Sequence, residues 1–290
     1  MNDMPKITQD MINLYDHFTH VTRDRAAYLE ELTKLVGDAQ TAQRVTALIQ
    51  ANAGAQPITP ENDSRLSIET VTLPNGLVGY LAMPKGAVHK LPAVIVIHEN
   101  RGLVPHIKDV VRRVAAEGFV AFGPDYLAPL GGTPEDEDLG RDMIAKLERP
   151  GVIAQTLQAI DFLRAHGSSN GKVGVVGFCW GGGIANAAAV AAGDKLQAAV
   201  AYYGAQPKAE DVGKIRAQLQ LHYAGEDERI NAGVPAYTAA LKANNVGHEV
   251  FHYPGAQHAF NNDSAPARYH KEAADLAWTR TIAMFKSALG

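Results

Sequence analysis

The sequence predicts an α/β fold in which a mostly parallel central sheet carries helices on both faces, with an N-terminal helical arm in front of it. Three observations predict it. After about residue 90, short apolar runs of strand length alternate with longer segments of helical period, the pattern of strands joined by crossover helices. Residues 93–97, Ala-Val-Ile-Val-Ile, are apolar throughout, as a strand covered on both faces must be. Residues 1–56 show helical spacing and no clear strand, which separates them as an arm from a domain over 57–290.

In the arm, Ala26, Leu29, Leu32, Leu35 and Val36 share one helical face that stops at Gly37. Asp38 then caps a second helix carrying Ala42, Val45, Leu48 and Ile49. Residues 52–57 read as a linker. The arm is expected to pack on the main domain or on a sister subunit, making a homo-oligomer through the arm one expectation. A lid or regulatory role is the other.

The domain opens with a hairpin, Ser67–Leu73 and Leu77–Met83 around Pro74-Asn75-Gly76. Strands follow at 93–97, 119–122, 172–176, 198–203, 218–223 and 249–253. Helices lie near 107–117, 138–148, 151–166, 182–192, 234–244 and 266–289. In such a sheet, sites form at the carboxyl ends of the strands.

Composition excludes several classes of function. With 46% hydrophobic residues, 20% charged residues and a net charge of −4, the chain lacks the basic surface that nucleic-acid binding requires. No run approaches the roughly 18 apolar residues of a membrane span, and the N-terminus carries no secretory h-region. A single cysteine forms no intrachain disulfide and is not expected to build a Cys-based zinc site. A soluble cytoplasmic protein is expected, without nucleic-acid or membrane partners.

The chemistry-bearing segment is Gly177-Phe178-Cys179-Trp180-Gly181-Gly182-Gly183, which joins a buried strand to a small-residue helix. Gly-x-Cys-x-Gly in that context reads as the nucleophile elbow of an α/β-hydrolase fold, with Cys in place of Ser. Gly177 and Gly181 are expected to avoid Cβ clashes, and Gly182 and Gly183 to let the helix approach the sheet. The helix N-terminus beside the sulfur favours a thiolate. In this fold the chain order is nucleophile, acid, histidine. The acid falls on the loop after 218–223, where Asp227 is favoured over Glu226 and Glu228. The histidine is His258, after the Pro254-Gly255 turn. The loop His98-Glu99-Asn100-Arg101 follows the strand at 93–97. Asn100 and Trp180 are expected to supply the two oxyanion-hole N–H groups. His98-Glu99 lacks the second histidine of a zinc helix, so no metal and no cofactor is expected. Tyr126 and Phe260 are candidate substrate-binding walls. Trp180 and Tyr203 are weighed beside them, with Tyr203 read as core packing.

Together these residues resemble the dienelactone hydrolase family, or carboxymethylenebutenolidases, over roughly Ser67–Gly290. The resemblance rests on His98-Glu99, the Gly177–Gly182 elbow, Gly225-x-Asp227 and Pro254-Gly255-x-x-His258-x-Phe260. It implies that Cys179 is the nucleophile, His258 the base and Asp227 the orienting acid, with a small ester or lactone as substrate. It also implies that Glu99 holds the resting thiol protonated. The bland alternative for Glu99 is an ion pair with Arg101 or another cation. Two arginines clamp the substrate carboxylate in the family, and Pro129 and Asn262 stand in their places here, so Arg101 is offered as a substitute cation. A general carboxylesterase or thioesterase is the nearest rival reading. A non-catalytic ligand receptor or thiol sensor is the more distant one.

Overall fold

The computed structural model describes residues 6–50, 55–74 and 76–290. Its sheet has eight strands: β1 (Leu66–Thr72), β2 (Val78–Pro84), β3 (Leu91–Ile97), β4 (Val120–Asp125), β5 (Ser169–Phe178), β6 (Ala198–Tyr202), β7 (Gln218–Glu226) and β8 (His248–Gln257). They lie in the order β1-β2-β4-β3-β5-β6-β7-β8. β1 pairs antiparallel with β2, and β2 with β4, while β4 through β8 run parallel. The hairpin forms as expected, with Asn75 of its turn outside the described residues.

β3 shows why its run had to be apolar. Ala93, Ile95 and Ile97 face one core layer while Val94 and Val96 face the other. The first layer is closed by α6 (Arg149–Ala165), α7 (Trp180–Ala191) and α9 (Val234–Ala243). The second is closed by α4 (Pro105–Ala116) and α10 (Lys271–Leu289). The last helix is shorter than its sequence pattern, because residues 259–270 form tight turns that return Phe260 beneath the site.

The arm has two elements more than the two helices its periodicity marked. α1 (Gln9–His17) runs into a π-helical turn, Phe18–Thr22, before α2 (Arg25–Val36) and α3 (Ala39–Ile49). Asp24 and Asp38 cap α2 and α3, accepting from Ala27 N and Thr41 N. Gly37, at φ 95°, ends α2 in the left-handed conformation that glycine adopts freely. The linker at 52–57 lies partly outside the described residues. Tyr15, Phe18, Tyr28, Leu32, Val45 and Ile49 give the arm a small core of its own.

The arm packs on its own domain. Gln9 Nε2 donates to Gln257 Oε1 at 2.7 Å, Asn100 Nδ2 donates to Thr19 O at 3.3 Å, and Arg25 pairs with Asp138. Arg268 pairs with Asp16 at 3.5 Å and covers the Tyr15 ring. Among the described residues no helix is long and apolar enough to cross a membrane.

Candidate active site

The carboxyl ends of β3, β5, β7 and β8 meet under the arm. Cys179 caps α7 with φ 57° and ψ −116°, a conformation that a side chain rarely adopts. The backbone leaves no alternative. A Cβ on Gly177 would lie 2.0 Å from Gly181 O, and one on Gly181 would lie 2.4 Å from His98 O. Gly182 is equally confined, 2.7 Å from Tyr202 O. Gly183 is not: its nearest neighbour would be Ala205 Cβ at 3.5 Å, ordinary contact, so only the first of the two helical glycines lets α7 approach the sheet. Gly177→Ala should therefore cost at least the ~1–3 kcal/mol of an overpacked core. Gly183→Ala should be neutral or stabilise by up to about 1 kcal/mol through helix propensity. Chemical denaturation of the two variants measures both.

His258 Nδ1 lies 2.6 Å from Asp227 Oδ2, with both side chains buried. The carboxylate accepts the Nδ1–H, which leaves Nε2 for the sulfur. His258 Nε2 makes no hydrogen bond among the described residues. Burial works to lower the His258 pKa, but the charges of Asp227 and Cys179 outweigh it and push the value up to about 10. Asp227 is held below the ordinary carboxylate range: burial would raise it, and His258 overcomes that. Asp227 also caps the short helix α8 (Glu228–Asn231) by accepting from Ile230 N at 3.3 Å. Glu226 and Glu228 are exposed beside it.

Glu99 is 3% exposed and accepts from Asn262 Nδ2 at 2.9 Å. Burial would raise its pKa, yet Arg101, His106, Arg268 and His258 together hold it below the usual value. Asn262 thus orients Glu99. Arg101 is buried and donates to Glu137 Oε1 at 3.3 Å. Arg268, which the sequence reading did not select, is a second buried cation near Glu99.

The aromatic candidates stand behind the site. Tyr126 is fully buried, bonds Thr156 Oγ1 at 2.6 Å, and meets the rings of His98 and Trp180 edge-on. His98 stacks on Trp180 at 5.3 Å. Phe260 is fully buried against Tyr203 and Tyr253. Tyr203 is core, as expected.

The sequence reading missed His20. Its Nε2 lies 3.2 Å from Cys179 Sγ, and its ring meets that of His258 edge-on at 4.7 Å. Nδ1 faces Asp16 O at 2.9 Å. Burial and the charge of His258 hold the His20 pKa well below 6.5. The Cys179 sulfur thus has a hydrogen-bond partner in the arm. No local pattern marks His20, since 159 residues separate it from Cys179.

Comparison with known proteins fits this geometry. The sequence profile of the Dienelactone hydrolase family matches residues 77–289. A candidate carboxymethylenebutenolidase of Escherichia coli (strain K12) is 32% identical over 226 residues, covering 73% of this chain and 83% of that protein. One of Synechocystis sp. is 35% identical, covering 76% and 96%. The crystal structure of a candidate dienelactone hydrolase from Klebsiella pneumoniae superposes with a TM-score of 0.69 at 30% identity, covering 76% of this chain and 98% of that one. With an α/β-hydrolase sheet, a nucleophile elbow and these relatives, the chain belongs to the dienelactone hydrolase family.

Proposed function

We propose that the chain hydrolyses ester or lactone bonds through a thioester on Cys179, with His258 and Asp227 completing a Cys–His–Asp triad. The observation that carries the reading is the 2.6 Å bond between Asp227 and His258 beside a cysteine fixed at positive φ on a helix N-terminus. In this mechanism His258 takes the thiol proton and the Cys179 thiolate attacks the carbonyl carbon. The N–H groups of Trp180, in the first turn of α7, and of Asn100, on the loop after β3, receive the oxyanion. The His258 imidazolium returns the proton to the leaving alcohol. Water, deprotonated by His258, then cleaves the thioester, releasing the acid and restoring the thiol. Glu99 and Arg101 act beside the sulfur, Glu99 oriented by Asn262.

The relatives' names support a lactone as substrate. The loss of both clamp arginines supports a neutral ester or lactone over one bearing a carboxylate, because Pro129 and Asn262 cannot offer a guanidinium fork. Mixing the enzyme with p-nitrophenyl acetate should release one nitrophenolate per chain in a burst and leave an acetyl group on the Cys179 peptide after acid quench. Turnover with no acyl group on Cys179 would remove the thioester from the mechanism.

A further inference from the structure

The arm adds to the site a group that the triad does not use. Ring nitrogens of His20 and His258 and Sγ of Cys179 all lie within 4.8 Å of one another. His20 and His258 are both set as ligands. His20 Nδ1 faces the Asp16 carbonyl, which only accepts, and the Thr19 hydroxyl, whose proton goes to Tyr15 O at 3.0 Å, so Nδ1 carries the proton and Nε2 presents a bare lone pair toward the sulfur. His258 Nδ1 is held in the same way by the Asp227 carboxylate, and its Nε2 is buried and unpartnered. A carbonyl or carboxylate behind each imidazole is the second shell that metal-binding histidines require. The π-helical turn at Phe18–Thr22, closed by Arg23 N donating to Phe18 O at 2.8 Å, places His20 there. Such turns often mark functional positions.

We propose that Cys179, His20 and His258 bind a divalent cation of the zinc class, and that the bound metal masks the nucleophile and fastens the arm over it. One thiolate and two imidazoles suit zinc and not the oxygen-seeking magnesium or calcium. In a tetrahedral zinc site the ligand atoms stand about 3.3–3.6 Å apart. The His20–Cys179 distance of 3.2 Å is already close to that, and with all three atoms within 4.8 Å of one another the remaining closure is at most about 1.5 Å. Three protein ligands leave a fourth position for water. Binding the metal releases one proton, the one that the Cys179–His258 pair carries between its two members, so that a thiolate and two neutral imidazoles face the ion. The sequence argued against a metal from the lone cysteine and from His98-Glu99, neither of which reveals ligands brought together from distant segments. The candidate ligands are assembled from the arm, the elbow and the last loop.

The test is a titration of chelator-treated full-length protein with zinc and with cobalt. Wild type should bind one ion per chain, show a thiolate-to-cobalt charge-transfer band, and lose its reactivity toward iodoacetamide when zinc is bound. Cys179→Ser should lose the band. His20→Ala and His20→Phe should each weaken zinc at least about 100-fold, the upper range for losing only a second-shell partner. His20→Phe keeps an aromatic ring in the arm, so weakened binding there cannot be blamed on a collapsed arm. His89→Ala, at an exposed position, should bind as wild type does. Equal zinc affinity in wild type and both His20 variants, or no charge-transfer band in wild type, would overturn the proposal. The readouts do not need ester turnover. A protein that binds the metal yet shows no ester turnover in its chelator-treated, metal-free form would sink the hydrolase reading alone.

Discussion

Replacing Cys179 with alanine should lower kcat for a chromogenic ester by about five to six orders of magnitude, the scale seen when a hydrolase nucleophile is removed. The protein should stay folded. Alanine meets the same positive-φ restriction that Cys179 already bears, and its Cβ occupies space the sulfur's own Cβ held. Steady-state rates read the loss, and circular dichroism reads the fold. Residual activity within a hundredfold of wild type would place the nucleophile elsewhere. The site's surroundings should survive, because His98, Trp180 and Tyr126 pack on each other.

Asp227→Asn should lower kcat by about 10⁴-fold, the cost of losing the acid that fixes the histidine tautomer in a catalytic triad. The pH signature separates this from a structural fault. Asp227 is the first of the charges that hold His258 near 10 against the opposing effect of burial, so its removal should move the alkaline limb of the iodoacetamide-reactivity profile to lower pH. Stability follows the same sign. A histidine raised in the folded state stabilises fully below its ordinary value near 6.5, and that contribution is lost as pH rises toward about 10. Asp227→Asn should remove that alkaline decline, which denaturation at pH 6 and pH 9.5 would show.

Much of this was legible in the residues. Strand β3 declared itself because a strand buried on both faces has no polar positions to spare. The elbow declared itself because a turn that tight tolerates only glycine at Gly177 and Gly181. Asp227 and His258 could be placed by chain order within one kind of sheet. What stayed hidden depended on contact between distant segments. His20 is an unremarked histidine in an arm until the arm folds back. Asn262 looked like the loss of a binding group until its amide was found on Glu99. Tyr126 and Phe260 have the right chemistry for a pocket wall, but alternation does not say which side of a loop faces outward, and both turned inward. Gly183 shows the limit of reading a glycine run as one feature: its neighbour Gly182 is confined and Gly183 is not.

The clasp of the arm has a consequence for the order of assembly. The arm is synthesised before the sheet, yet its anchors Asn100, Asp138, Gln257 and Arg268 arrive later, two of them only at or after the last residue of β8. The helices of the arm have a core of their own and can form early, but they have nowhere to dock until β8 and the turns after it are in place. The sulfur at residue 179 therefore leaves the ribosome without its covering histidine and receives it in one of the last folding events. A chain truncated before Gln257 would keep the elbow and the arm but lose two of the arm's anchors and His258 with them.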